Sequence, residues 1–237
     1  MIEPSDIRRL MLGHYTVPAD SKSLAGEKLV MCAYVLRTPV GTLLFDTGLA
    51  TGHDEIEQAH SPITRQPFQQ TLANAGVDLA EVSVIVNCHL HIDHCGNNPL
   101  FPGVPIYVQK QEHDDLHANN AFMPRLMEFD GAKLEIHDGQ AEIAPGLTVI
   151  PTPGHTPGHQ SLLVETTAGR ILLAGQAMDF ASDYARALFT LSLDEAEVQQ
   201  GLPEYRRPWL QQLHELDLRR VLFAHDLLAW DRELVAG

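Results

Sequence analysis

Three histidines and an aspartate fall within six positions, at His89, His91, Asp93 and His94, directly after an apolar run over residues 82–86. The His-x-His-x-Asp-His spacing matches neither one face of a helix nor a strand alternation, so it reads as a tight loop that splits into two groups. His89 and His91 can point one way while Asp93 and His94 point another. Imidazole suits zinc and iron, and a carboxylate adds a harder, charge-compensating ligand. A lone loop histidine is ordinarily a surface or capping residue. Four such groups behind a buried-looking strand point to a metal site held by a rigid element.

The elements around this loop repeat its layout. A strand over 29–38, a tight turn at Pro39-Val40-Gly41 and a strand over 42–45 lead to Asp46, which on its own reads as a turn or cap residue. A strand over 147–150 runs into Pro151-Thr152-Pro153-Gly154-His155-Thr156-Pro157-Gly158-His159, a loop stiffened by its prolines. There His155 is the better ligand candidate, and His159 fits a neighbour that orients a ligand by hydrogen bonding. Strands over 161–165 and 171–174 follow, the second ending at Gly175-Gln176-Ala177, and a last strand over 221–224 ends at His225-Asp226. Strand ends that converge on one rim of a layered α/β fold would gather these residues into one pocket.

The remaining stretches carry less chemistry. Residues 7–15 suit a strand, and 18–26 and 49–67 suit loops; His53 and His60 in the second loop have no ligand spacing. Phe68, Leu72 and Ala75 before Gly76 make a short amphipathic helix. A loop over 97–105 and a short strand over 106–108 precede a polar helix over 111–119, where His113 and His117 read as a solvated face. Residues 126–136 fit helix or strand equally. Residues 178–203, with Asp179, Asp183 and Tyr184, read as irregular, and 208–216 as a helix presenting Trp209, Leu213 and Leu216.

Bulk properties narrow the partners. The 237 residues fit one large domain or two small ones. With 16 Lys+Arg against 31 Asp+Glu the formal charge is -15, which disfavours nucleic acid. Cys32, Cys88 and Cys95 are too few for a disulfide framework and suit a reducing, cytoplasmic setting. Cys88 and Cys95 flank the histidine cluster as candidate ligands, but small buried packing residues are the plainer reading. No apolar run has the length of a membrane span, and no secretory signal is expected at the N-terminus.

With these residues in place, the chain resembles the metallo-β-lactamase superfamily of hydrolases. The resemblance rests on His89-x-His91-x-Asp93-His94, the Thr-Pro-Gly-His loop ending at His155, and Phe-Ala-His-Asp around His225. Within that superfamily it is most similar to the N-acyl homoserine lactonases, through residues 35–48, the run over 152–162 and the His225-Asp226 pair. The resemblance covers roughly residues 29–235 and implies a single domain over 1–237. Its fold would be an αβ/βα four-layer sandwich, with two facing mixed β-sheets and helices outside. It implies one zinc on His89, His91 and His155 and another on Asp93, His94 and His225, with other divalent metals as alternatives and one or two ions per chain. It further implies hydrolysis of a small lactone or ester by hydroxide made available at the metal, with Asp93 passing a proton to the leaving alkoxide, Asp46 and His159 orienting ligands, and a monomer or homodimer.

Two positions depart from that pattern. Gln176 stands where the family places an Asp that bridges the metals, and Asp179 stands where lactonases place a Tyr that contacts the substrate carbonyl. Asp179 and Tyr184 are therefore the candidate substrate contacts. The alternatives are a thioester hydrolase of the glyoxalase II type, or a catalytically weakened metal-binding protein.

Overall fold

The computed structural model describes residues 1–20, 24–50, 63–191, 193 and 208–234. His53 and His60 lie outside them. Strand β1 (Ile7–Thr16) pairs antiparallel with β2 (Lys28–Thr38), and β2 with β3 (Gly41–Phe45) through the expected tight turn. The short β4 (Ile63–Arg65) borders β1. Helix α1 (Phe68–Asn74) then carries the chain across, so β5 (Val82–Val86) joins β3 in parallel. A single turn of helix, α2 (Ile92–Cys95), leads on to β6 (Pro105–Gln109). After α3 (Lys110–Asp114), β7 (Lys133–His137) completes the sheet in the order β4-β1-β2-β3-β5-β6-β7.

The second half builds the facing sheet. Strands β8 (Ala141–Ala144), β9 (Leu147–Pro151), β10 (Gln160–Thr166) and β11 (Gly169–Leu173) form an antiparallel meander. Helices α4 (Ala181–Leu191) and α5 (Pro208–Glu215) precede β12 (Leu218–Leu222), which lies parallel to β11, with β13 (Ala229–Asp231) at its edge.

Side-chain alternation along the central strands sets the layers. Leu44 and Ile85 turn outward to pack with Leu72 of α1, whereas Leu43, Phe45 and Val86 turn inward against Val149, Leu162 and Leu173 of the facing sheet. On the far side, Leu163 and Leu172 pack with Tyr184 of α4 and Trp209, Leu210 and Leu213 of α5. Both sheets are thus covered on two faces, and the architecture is the expected four-layer αβ/βα sandwich.

Several elements differ from the sequence reading. Residues expected to be irregular after 178 form α4, whose buried positions Ala181, Tyr184, Ala187 and Thr190 are mostly small and give a weak apolar stripe. Asp226 Oδ2 accepts the Ala181 N–H at 2.8 Å at the start of this helix. Helix α3 ends at Asp114 rather than near 119, and the undecided 126–136 stretch runs into β7. Phe223 and Ala224 leave β12 because their backbone groups bond elsewhere: the Phe223 carbonyl accepts from Tyr34 Oη, and the Ala224 carbonyl accepts the Cys32 N–H of β2. No helix among the described residues is long and apolar enough to cross a membrane.

Candidate metal centre

Two sets of potential ligands converge beyond the ends of β5, β9 and β12. His89, His91 and His155 form one, and Asp93, His94 and His225 the other, with ligand atoms in each set within 4.8 Å of one another. The loop after β5 presents His89 and His91, and α2 carries Asp93 and His94, with the His94 ring centroid 4.1 Å from that of His89. The strands from both halves of the chain therefore bring all six residues together.

Each imidazole of the second set is held by its far nitrogen. His94 Nδ1 donates to Asp46 Oδ2 at 2.9 Å, and His225 Nδ1 donates to the Val30 carbonyl at 2.8 Å. Their Nε2 atoms face Asp93 Oδ2 at 3.5 Å and 3.7 Å. In the first set, His155 Nε2 and His91 Nδ1 face each other at 2.9 Å, and the His89 ring centroid stands 4.6 Å from both of theirs. The Nε2 atoms of His89, His94 and His225 are buried without a hydrogen-bond partner. A buried, unpaired ring nitrogen is unfavourable in a finished core, so three of them within the two ligand sets fit coordination of cations. Nitrogen donors with one carboxylate fit zinc or a similar divalent metal.

The charge states agree with that chemistry at all but His94, where burial is overcome by Asp93 and Asp46 and the imidazole is held up to about 9, so a metal there would displace a proton. Burial opposes ionisation of Asp93, but the His94, His225 and His91 imidazoles outweigh it and hold the carboxyl down to about 2. Burial keeps His89 well below the ordinary imidazole range and brings His91 down to about 4. Neutral imidazoles and an ionised carboxylate are the forms that bind metal.

Asp46 follows β3 with a positive φ of 65°, an uncommon conformation for a residue with a side chain. There its carboxylate accepts from the Cys88 N–H and Sγ as well as from His94. Cys88 Sγ also lies 3.1 Å from His89 Nδ1, so this thiol packs beneath the ligands. Cys95 is buried and donates to the Leu90 carbonyl. His159 Nε2 accepts the Gln176 N–H at 3.1 Å, which leaves the ring proton on Nδ1 to donate to Thr152 Oγ1. Both nitrogens of His159 are therefore used, on Thr152 and on the Gln176 backbone rather than on one of the six ligand residues.

The two candidate substrate contacts part company. Asp179 remains beside the site, accepting from Gln176 Nε2 at 2.9 Å. Tyr184 instead packs in the outer core against Phe223 and Trp230 and does not line the cavity at the site. That correction follows from α4, which turns Tyr184 inward. The phenol that does line the cavity is Tyr15 of β1, edge-on to His225 with centroids 5.9 Å apart. The cavity holds about 460 Å³, and its lining includes His91, Asp93, His155 and Gln176 together with the apolar Met31, Leu49, Ile63 and Met123.

Glu112 was hidden in a stretch read as a solvated helix. It is 1% exposed, and its two oxygens accept the backbone N–H groups of Leu90 and Gly158, both at 3.1 Å. No local pattern distinguishes it from Asp114 or Asp115; only the approach of the second ligand loop does. His117, in the same stretch, is exposed beside Glu128, as a solvated face requires.

The family model of the metallo-beta-lactamase superfamily matches residues 33–225. An N-acyl homoserine lactonase of a Bacillus species is 33% identical over 180 residues, covering 70% of each chain. Another, from Bacillus thuringiensis, is 29% identical over 242 residues, covering 92% of this chain and 90% of its own. Among solved structures, an N-acyl homoserine lactone hydrolase with N-hexanoyl-L-homoserine at its catalytic metal centre superposes with a TM-score of 0.72. It is 22% identical and covers 100% of this chain and 97% of its own, a likeness of fold. This chain belongs to the metallo-beta-lactamase superfamily and is a metallo-hydrolase similar to the N-acyl homoserine lactonases.

Proposed function

We propose that this protein opens the ring of a small lactone, of the N-acyl homoserine lactone class, at a centre of two divalent ions, with zinc the expected metal. The observation that carries the reading is the pair of ligand sets, which hold buried ring nitrogens without hydrogen-bond partners and which reach a partly apolar cavity through His91, Asp93 and His155. His89, His91 and His155 would hold one ion, and Asp93, His94 and His225 the other. When bound, such ions supply a hydroxide nucleophile at neutral pH and polarise the substrate carbonyl.

The chain's own groups do the rest. Asp46 sets the tautomer of His94, and the Val30 carbonyl sets that of His225, so each presents Nε2 inward. Asp93 is ionised at neutral pH, so it can accept a proton during attack and return it to the leaving alkoxide. Met31, Leu49, Ile63 and Met123 offer an apolar wall to an acyl chain. Burial, with the nearby Asp93 and Asp179 carboxylates, raises the Tyr15 phenol far above its usual range and keeps it a neutral donor.

The test is proton release by the zinc-loaded protein on an N-acyl homoserine lactone, a thioester and a β-lactam in parallel. The reading expects turnover of the lactone well above the other two. Preferred turnover of the thioester would favour the glyoxalase II type of reaction, and no turnover by a fully loaded protein would favour a metal-binding role.

A further inference from the structure

Gln176 sits at the floor of the cavity with His91, Asp93 and His155, and its backbone is fixed there. Its N–H is engaged by His159 Nε2. The preceding Gly175 has φ 59°, and a Cβ on it would fall 2.5 Å from Cys88 Cβ, so the chain lies tight against the loop that bears His89. What remains open is which end of the Gln176 amide faces the ligands. An amide's two ends are opposite in character, one a donor and the other an acceptor.

Asp179 settles that choice. The NH2 of Gln176 donates to Asp179 Oδ1 at 2.9 Å, so that end of the amide is turned toward Asp179. The carbonyl oxygen is then left for the other side, toward the cavity that Gln176 lines with His91, Asp93 and His155. An NH2 directed at a cation is repelled, whereas a carbonyl oxygen is an acceptable neutral ligand for divalent metals. The hydrogen bond to a carboxylate also polarises the amide and enriches its oxygen.

We propose that Asp179 is a positioning residue that orients the Gln176 amide, so that its carbonyl oxygen is presented to the cation site between the two histidine sets. The negative charge at this place is thus set one residue further out and acts through a neutral amide. The inference rests on the metal-centre reading but not on the identity of the substrate.

The experiment is a double-mutant cycle on zinc affinity, read by competition with a chromophoric chelator, using wild type, Gln176→Ala, Asp179→Ala and the double variant. Thermal unfolding of the metal-free proteins checks that each folds. Cobalt-substituted spectra report the coordination directly. Loss of an outer group that orients a ligand lowers metal affinity about 10- to 100-fold. Asp179→Ala is expected to weaken the looser ion by about tenfold and alter the cobalt bands when Gln176 is present. It is expected to change neither in the Gln176→Ala background. Equal losses in both backgrounds would show Asp179 acting on the metal by itself and overturn the proposal, as would no loss in either. A wild-type chain that binds no divalent ion would overturn both this inference and the functional reading. Absence of lactone turnover with the cycle intact would overturn the functional reading alone.

Discussion

Glu112 Oε1 accepts the backbone N–H of Gly158 at 3.1 Å, while its other oxygen accepts that of Leu90 at the same distance. Leu90 lies between His89 and His91, and Gly158 between His155 and His159. One buried carboxylate therefore ties together the two loops that supply the first ligand set. Glu112→Ala leaves two buried N–H groups unpaired, each worth about 1–3 kcal/mol. Urea unfolding of the metal-free protein should show that loss, and zinc should dissociate faster from the loaded variant. Glu112→Gln keeps one acceptor and should fall between. Wild-type stability and zinc release in Glu112→Ala would remove this carboxylate from the account.

Gly158 permits that contact. A Cβ there would lie 2.5 Å from Glu112 N and 2.7 Å from Glu112 Cγ, closer than atoms can pack. Gly158→Ala should destabilise the fold by about 1–3 kcal/mol through overpacking. Thermal unfolding at matched metal content measures it, and an unchanged midpoint would mean that the loop has room the structure does not show.

Asp46→Asn tests the support beneath His94. The aspartate accepts the Nδ1 proton, and an asparagine can turn its NH2 to the same place and favour the wrong tautomer. Zinc affinity at the Asp93–His94–His225 set should fall about 10- to 100-fold, with the first set less affected. Titration with a chelator separates the two. Equal weakening of both ions would show that Asp46 serves the whole fold rather than His94.

Much of this arrangement is legible in the residues alone. Apolar runs that stop at Asp46, at the His89 cluster, at the loop holding His155 and near His225 mark strand ends that share one rim, because strands packed side by side must end together. The limits are equally physical. Glu112 looks like its solvent-facing neighbours, since its partners are backbone groups from distant loops. Helix α4 buries small residues, so its stripe is faint, and Tyr184 lies within it. Tyr15 reaches the cavity through the pairing of β1 with β2 and β4, which no local spacing encodes.

The metal-free protein should lose stability as pH falls below about 6.5, the ordinary imidazole value. Burial brings His91 down to about 4 and keeps His89 and His159 well below the ordinary value. The unfolded chain therefore takes up protons first, and stability falls with pH across that window. His94 runs the other way: burial is overcome by Asp93 and Asp46, which raise it to about 9. Its contribution is lost as pH rises through 9 and is nearly complete by 6.5, so between pH 7 and pH 5 it offsets only a small part of the acid effect. Urea midpoints in the presence of chelator should be lower at pH 5 than at pH 7. Equal or higher midpoints at pH 5 would contradict the buried, neutral state of these imidazoles.

The central claim is that distant strand ends build two adjoining cation sites, and metal content per chain tests it most directly. After loading with zinc and removal of excess, elemental analysis should find two ions per wild-type chain, one for each ligand set. A folded wild-type chain that retains no ion would contradict it.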